Sequence, residues 1–174
     1  MAAHSLSMVT PCRRLAFLQI PKNASTRFRS LKEPHFGHNW THEETLNIED
    51  GPKHVVILRD PADRYLSAVN MFLRVEGNLF HLPILFKGYL TDDQHFQLQA
   101  DYVKPVRHIP TTDYWMYDSN VVNDMIDHYE LALNKKERSN AAPEKAVTAV
   151  DPAFIDKYYS EDLELISQVK FLNR

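Results

Sequence analysis

Apolar positions come in short, dense runs separated by small polar clusters. Leu15, Ala16, Phe17, Leu18 and Ile20 form a run of strand length, and Pro21, with no N–H to donate, stops it. Lys22, Asn23, Ala24, Ser25 and Thr26 follow, and Arg27 to Lys32 has the composition of a helix start. His54 to Leu58 is the clearest strand, β-branched and continuous, and ends at Arg59-Asp60-Pro61. From Pro61 to Val75 the apolar residues Leu66, Val69, Phe72 and Leu73 recur at helical spacing, with Glu76-Gly77-Asn78 as the stop.

Other segments are weaker. Pro34 fixes the start of a short segment, His35 to Trp40. Thr41 with Glu44 three residues on reads as a capping box for a helix to about Glu49, before the turn Asp50-Gly51-Pro52. Asp92 to Val103 reads as loop or irregular helix, and Val106 to Ile109 and Tyr114 to Tyr117 as short strands. Val121 to Leu133 is a striped helix, Asn134 to Lys145 a loop, and a last helix runs from Asp151-Pro152 through Val169. Strands alternating with helices predict an α/β fold with a central, mainly parallel sheet.

Composition narrows the class. A chain of 174 residues suits a single domain, with positions 1–13 expected to form a flexible arm. The formal charge of −3 argues against a generally basic nucleic-acid binder. The single cysteine, Cys12, allows no internal disulfide. No run reaches the length of a membrane span, and the start lacks the basic-then-apolar order of a signal peptide. A soluble protein, cytoplasmic or otherwise, is expected.

The chemistry concentrates in two stretches. A buried strand, a tight turn of small residues and a helix start make an anion site, because the first-turn N–H groups and the helix dipole favour negative charge. Lys22 adds a cation, and Ser25 and Thr26 add hydroxyl donors. The P-loop pattern G-x-x-x-x-G-K-[ST] is the nearest comparison, but both glycines are missing and the lysine precedes the small residues. In the second stretch, Arg59 closes a buried strand where open α/β sheets place ligands, and Ser67 lies two turns into the next helix. Asp60 and Arg64 are spaced to pair with each other.

Taken together, the two stretches resemble the sulfotransferase superfamily, most closely Golgi carbohydrate sulfotransferases such as the heparan sulfate 2-O-sulfotransferases. Pro21-Lys22-Asn23-Ala24-Ser25-Thr26 is similar to their PK-x-x-(S/T)-(S/T) loop, which binds the 5′-phosphosulfate of PAPS (3′-phosphoadenosine 5′-phosphosulfate). Arg59-Asp60-Pro61-Ala62-Asp63-Arg64-Tyr65-Leu66-Ser67 is similar to their RDP-x-x-R-x-x-S segment, which binds the 3′-phosphate. The resemblance implies a P-loop-like three-layer fold. It also implies a cofactor-binding set of Lys22, Asn23, Ala24, Ser25, Thr26, Arg27, Arg59 and Ser67. Arg27 departs from the pattern, standing where such loops often carry Ser or Thr. Gln94-His95-Phe96-Gln97-Leu98-Gln99 resembles the family's His-aromatic-x-x-Gln stretch beside the active cleft, and Arg138-Ser139-Asn140 a late loop over the nucleotide.

The expected reaction is sulfuryl transfer from PAPS to an acceptor hydroxyl, with a carbohydrate as one candidate. By resemblance Lys22 supports the bridging oxygen, and Gly37-His38 matches the segment carrying the family's catalytic histidine. Histidine suits the task by its pKa. His35, Glu43 and Glu44 remain alternative bases, and His35, His38 and His42 also have metal-site spacing, although no metal is expected. A catalytically inactive nucleotide-binding relative and a P-loop kinase-like phosphotransferase are the alternative functions. Phe80, Phe86, Tyr89, Phe96, Tyr114 and Trp115 serve either as cleft walls or as core.

Overall fold

The computed structural model describes residues 6–10, 14–24, 41–44, 52–76, 94–131 and 147–174. These form an α/β fold around a five-stranded sheet with strand order β3-β1-β2-β4-β5. The strands are β1 (Leu6–Val9), β2 (Leu15–Leu18), β3 (Thr41–Glu44), β4 (Lys53–Leu58) and β5 (Asp113–Met116). The neighbours β2, β4 and β5 are parallel; β1 runs against β2 and β3, so four of the five strands point the same way. The helices are α1 (Pro61–Glu76), α2 (Gln99–Val103), α3 (Val121–His128), α4 (Pro152–Tyr158) and α5 (Ser160–Gln168).

The pleat of β4 sorts its apolar run onto two cores. Val55 and Ile57 join Phe17, Trp115 and Met125 under α3. Val56 and Leu58 join Leu18, Val103, Met116 and Leu165 under α2 and α5. A third cluster packs Tyr65 and Val69 of α1 against Phe96, Ile155 and Tyr159. Phe96 and Trp115 are therefore core residues, both below 4% exposed. Phe80, Phe86 and Tyr89 lie outside the described residues.

Four expectations are corrected. The first concerns the arm at positions 1–13, which contains β1, where Met8 and Val9 are fully buried. Thr10 makes this possible by closing the hairpin to β2. Its N–H donates to Leu15 O at 2.9 Å, and its hydroxyl accepts the N–H groups of Arg14 and Leu15 at 3.1 Å. Second, Thr41–Glu44 is a strand rather than a capped helix start. Pairing along β1, from Leu6↔Glu44 to Val9↔Thr41, engages the backbone that a capping box would have turned. Third, the segment 106–109 is a chain of tight turns, with Val106 N donating to Val103 O and Ile109 N to Val106 O. Pro105 and Pro110 deny it a strand ladder. Fourth, the last helix is two, α4 and α5, broken at Tyr159, whose backbone leaves helical geometry at φ −121° and ψ 21°.

The opposite end of the sheet carries a polar clip. Asp113 Oδ2 meets Lys53 Nζ at 2.7 Å and accepts the Tyr129 hydroxyl at 2.7 Å. Among the described residues no helix is long and apolar enough to cross a membrane.

His54, 6% exposed on β4, has no hydrogen-bond partner for its Nδ1 among the described residues, and burial holds its imidazole below the ordinary histidine value of 6.5. The unfolded chain therefore takes up a proton on acidification before the native one does. Stability should be complete above about pH 6.5 and decline as pH falls through that value. His54→Leu should flatten that decline in urea denaturation series; an unchanged slope would remove His54 as its cause.

Candidate functional site

The site forms where β2 and β4 end side by side. After β2 the chain runs through Gln19 and Ile20 into a turn over residues 21–24, closed by Asn23 N donating to Ile20 O at 3.1 Å. Lys22 has φ 68° and Ala24 φ 64°, while Asn23 between them stays outside the positive-φ region. Alternation of φ sign is a feature of anion-binding nests, but here the middle N–H, that of Asn23, is already donated to Ile20 O, which leaves the N–H groups of Lys22 and Ala24 as the turn's candidate donors. Glycines hold such positions at no steric cost; Lys22 and Ala24 hold them at about 1–2 kcal/mol each. Asn23, 4% exposed, anchors the turn by donating Nδ2 to Ile57 O at 2.8 Å and to Gln99 Oε1 at 2.5 Å.

Arg59 follows β4 directly. Its Nη1 donates to the Lys22 carbonyl at 3.1 Å, and its guanidinium carbon lies 4.5 Å from the centroid of the Tyr117 ring. Tyr117 is held in place by its N–H, which donates to Leu58 O at 2.7 Å. The two sequence stretches thus meet: a positive charge and the Lys22 turn lie within one hydrogen bond of each other. Ser67 sits partly exposed on α1, six residues beyond Pro61, or about 9 Å along the helix axis. The described contacts of Arg59 lead to Lys22, Tyr117 and Gln99, not to Ser67.

Arg64 does not form the expected pair with Asp60. Its guanidinium is buried, 1% exposed, and donates Nε to Pro21 O at 3.1 Å and Nη1 to Gln97 O at 2.7 Å. It props the turn from below. Burial pulls this guanidinium below its ordinary value, and the Asp162 carboxylate pulls in the opposite direction. Asp60 instead accepts the Asp63 N–H at 3.0 Å in the first turn of α1.

Gln99 joins these parts. It is fully buried and exchanges two hydrogen bonds with the Arg59 backbone: Arg59 N donates to Oε1 at 2.9 Å, and Nε2 donates to Arg59 O at 2.8 Å. The amide extends β4 as a neighbouring strand would. Asn173 does the same for β5, exchanging two 2.9 Å bonds with Met116. The His-aromatic-x-x-Gln resemblance pointed at Gln99; nothing in the sequence pointed at Asp162 or Tyr117.

Ser25, Thr26, Arg27, His35 and His38 lie outside the described residues, as does the 138–140 loop. Only the backbone of His42, Glu43 and Glu44, in β3, is described. Among the described residues no group of three or more metal-ligating side chains occurs. Compared with family models, curated proteins and solved structures, the chain matches none.

The strained turn supplies a direct test. Ala24→Gly removes the left-handed penalty but adds about 0.4–1 kcal/mol of unfolded-state entropy, so stability should stay level or rise slightly. Ala24→Val places a β-branched residue at positive φ and should lose more than about 1 kcal/mol. Urea midpoints check both; equal stability of the two variants would contradict the left-handed geometry.

Proposed function

We propose that the protein is a PAPS-dependent sulfotransferase with a P-loop-like anion site at the ends of β2 and β4. The observation that carries this reading is the 3.1 Å hydrogen bond from Arg59 to the Lys22 carbonyl, which joins the two stretches that resemble the family's phosphosulfate and 3′-phosphate motifs. The positive φ at Lys22 and Ala24 supports it, because alternating φ is a feature of anion-binding turns. The adjoining parallel strand ends support it too, since open α/β sheets bind ligands there.

In the proposed reaction the acceptor hydroxyl attacks sulfur in line. Its new S–O bond forms as the bond from sulfur to the bridging phosphate oxygen breaks. The electron pair leaves with adenosine 3′,5′-bisphosphate, and the acceptor proton passes to a base, assigned by resemblance to His38. Lys22 and the turn N–H groups offset charge gathering on the leaving oxygen. Ser25, Thr26, Arg27 and Ser67 complete the proposed binding set, and a carbohydrate hydroxyl is the proposed acceptor.

Calorimetry with adenosine 3′,5′-bisphosphate tests the reading. Lys22→Ala and Arg59→Ala should each weaken binding by about tenfold or more, the value of a charge-assisted hydrogen bond. If neither weakens it, the proposal fails. Tighter binding of Mg-ATP than of PAPS would favour a phosphotransferase instead.

A further inference from the structure

We infer that Asp162, on α5, is a positioning residue for the anion site and acts through the side-chain amide of Gln99. Both residues are fully buried. Asp162 Oδ1 accepts the Ala100 N–H at 2.9 Å and so caps α2, whose own N-cap residue, Leu98, contributes no side-chain cap. Asp162 Oδ2 accepts Gln99 Nε2 at 3.3 Å. Burial raises the Asp162 carboxyl above its ordinary value, while the backbone N–H groups of Ala100 and Gln99, the charge of Arg64 and the Gln99 side chain pull in the opposite direction, toward the carboxylate.

The consequence lies in which way the Gln99 amide faces. An amide has one accepting and one donating end, and a carboxylate can only accept. Asp162, together with the Arg59 carbonyl, therefore holds Nε2 on its own side and Oε1 toward the site, where Oε1 receives both Arg59 N and Asn23 Nδ2. All four hydrogen-bonding positions of the amide are then used. A reversed amide would set N–H against N–H at Arg59 and at Asn23, loosening the turn that carries Lys22. The C-terminal helix thus sets the geometry of a site built from the first two parallel strands.

The ligand readout rests on the proposed function above; the exchange readout does not. Asp162→Asn keeps the shape but sets a donor NH2 against either Gln99 Nε2 or the Ala100 N–H, where an acceptor belongs. In the full chain it should accelerate hydrogen exchange at the Arg59 amide and the Asn23 side-chain amide, followed by NMR, while the melt stays cooperative. It should also weaken adenosine 3′,5′-bisphosphate binding about tenfold. Combined with Gln99→Met, which removes that link along with the other Gln99 bonds, it should cost little further affinity, because Asp162 acts on the site through Gln99. Unchanged exchange at Arg59 and Asn23 in Asp162→Asn, or losses that add in full, would overturn the inference. Should wild-type protein not bind the nucleotide, the functional proposal falls, and the exchange rates still decide the role of Asp162.

Discussion

The structure depends on one pairing: β2 lies parallel to β4, in register from Leu15↔Lys53 to Phe17↔Val55. Parallel neighbours end at the same edge of the sheet, so the turn after β2 and the residue after β4 are brought together by backbone hydrogen bonds rather than by their own affinity. Continuous apolar runs enforce the pairing, because α3 covers one face and α2 with α5 the other. A slip of one residue would send Val56 and Leu58 to the wrong core.

That edge is polar, and it is buried. Asn23, Arg64, Gln99 and Asp162 are all below 5% exposed, a set that would oppose folding if left unpaired. Most of their polar atoms are paired, with carbonyls of Pro21, Ile57 and Gln97 and with one another. The positive charge of Arg64 stands against the negative charge of Asp162. Such a network adds little net stability but discriminates strongly among arrangements, since each broken partner leaves another buried and unsatisfied. A strained turn at Lys22 and Ala24 persists because its surroundings over-determine it.

The sequence disclosed the strands and helix that form the edge. Proline stops and β-branched density located β2, β4 and the start of α1, and strand ends facing a ligand pointed to Lys22 and Arg59. It was misleading where tertiary pairing overrode a local signal. Thr41 with Glu44 has capping-box spacing, yet β1 recruits that backbone as a strand. Leu6–Val9 fell within the expected flexible arm, yet the Thr10 clip turns it into the neighbour of β2. Arg64, four residues beyond Asp60, read as its pairing partner, and burial sent it to two carbonyls instead. Asp162 was invisible because its partner, Gln99, is 63 positions away and no short motif spans that interval.

The central claim is that the Lys22 turn and Arg59 grip one small bisphosphorylated molecule. A crystal structure of the protein with adenosine 3′,5′-bisphosphate tests it most directly. The account predicts one phosphate within hydrogen-bond reach of the Lys22 or Ala24 N–H and the other within reach of the Arg59 guanidinium. A nucleotide bound elsewhere on the sheet, touching neither group, would contradict it.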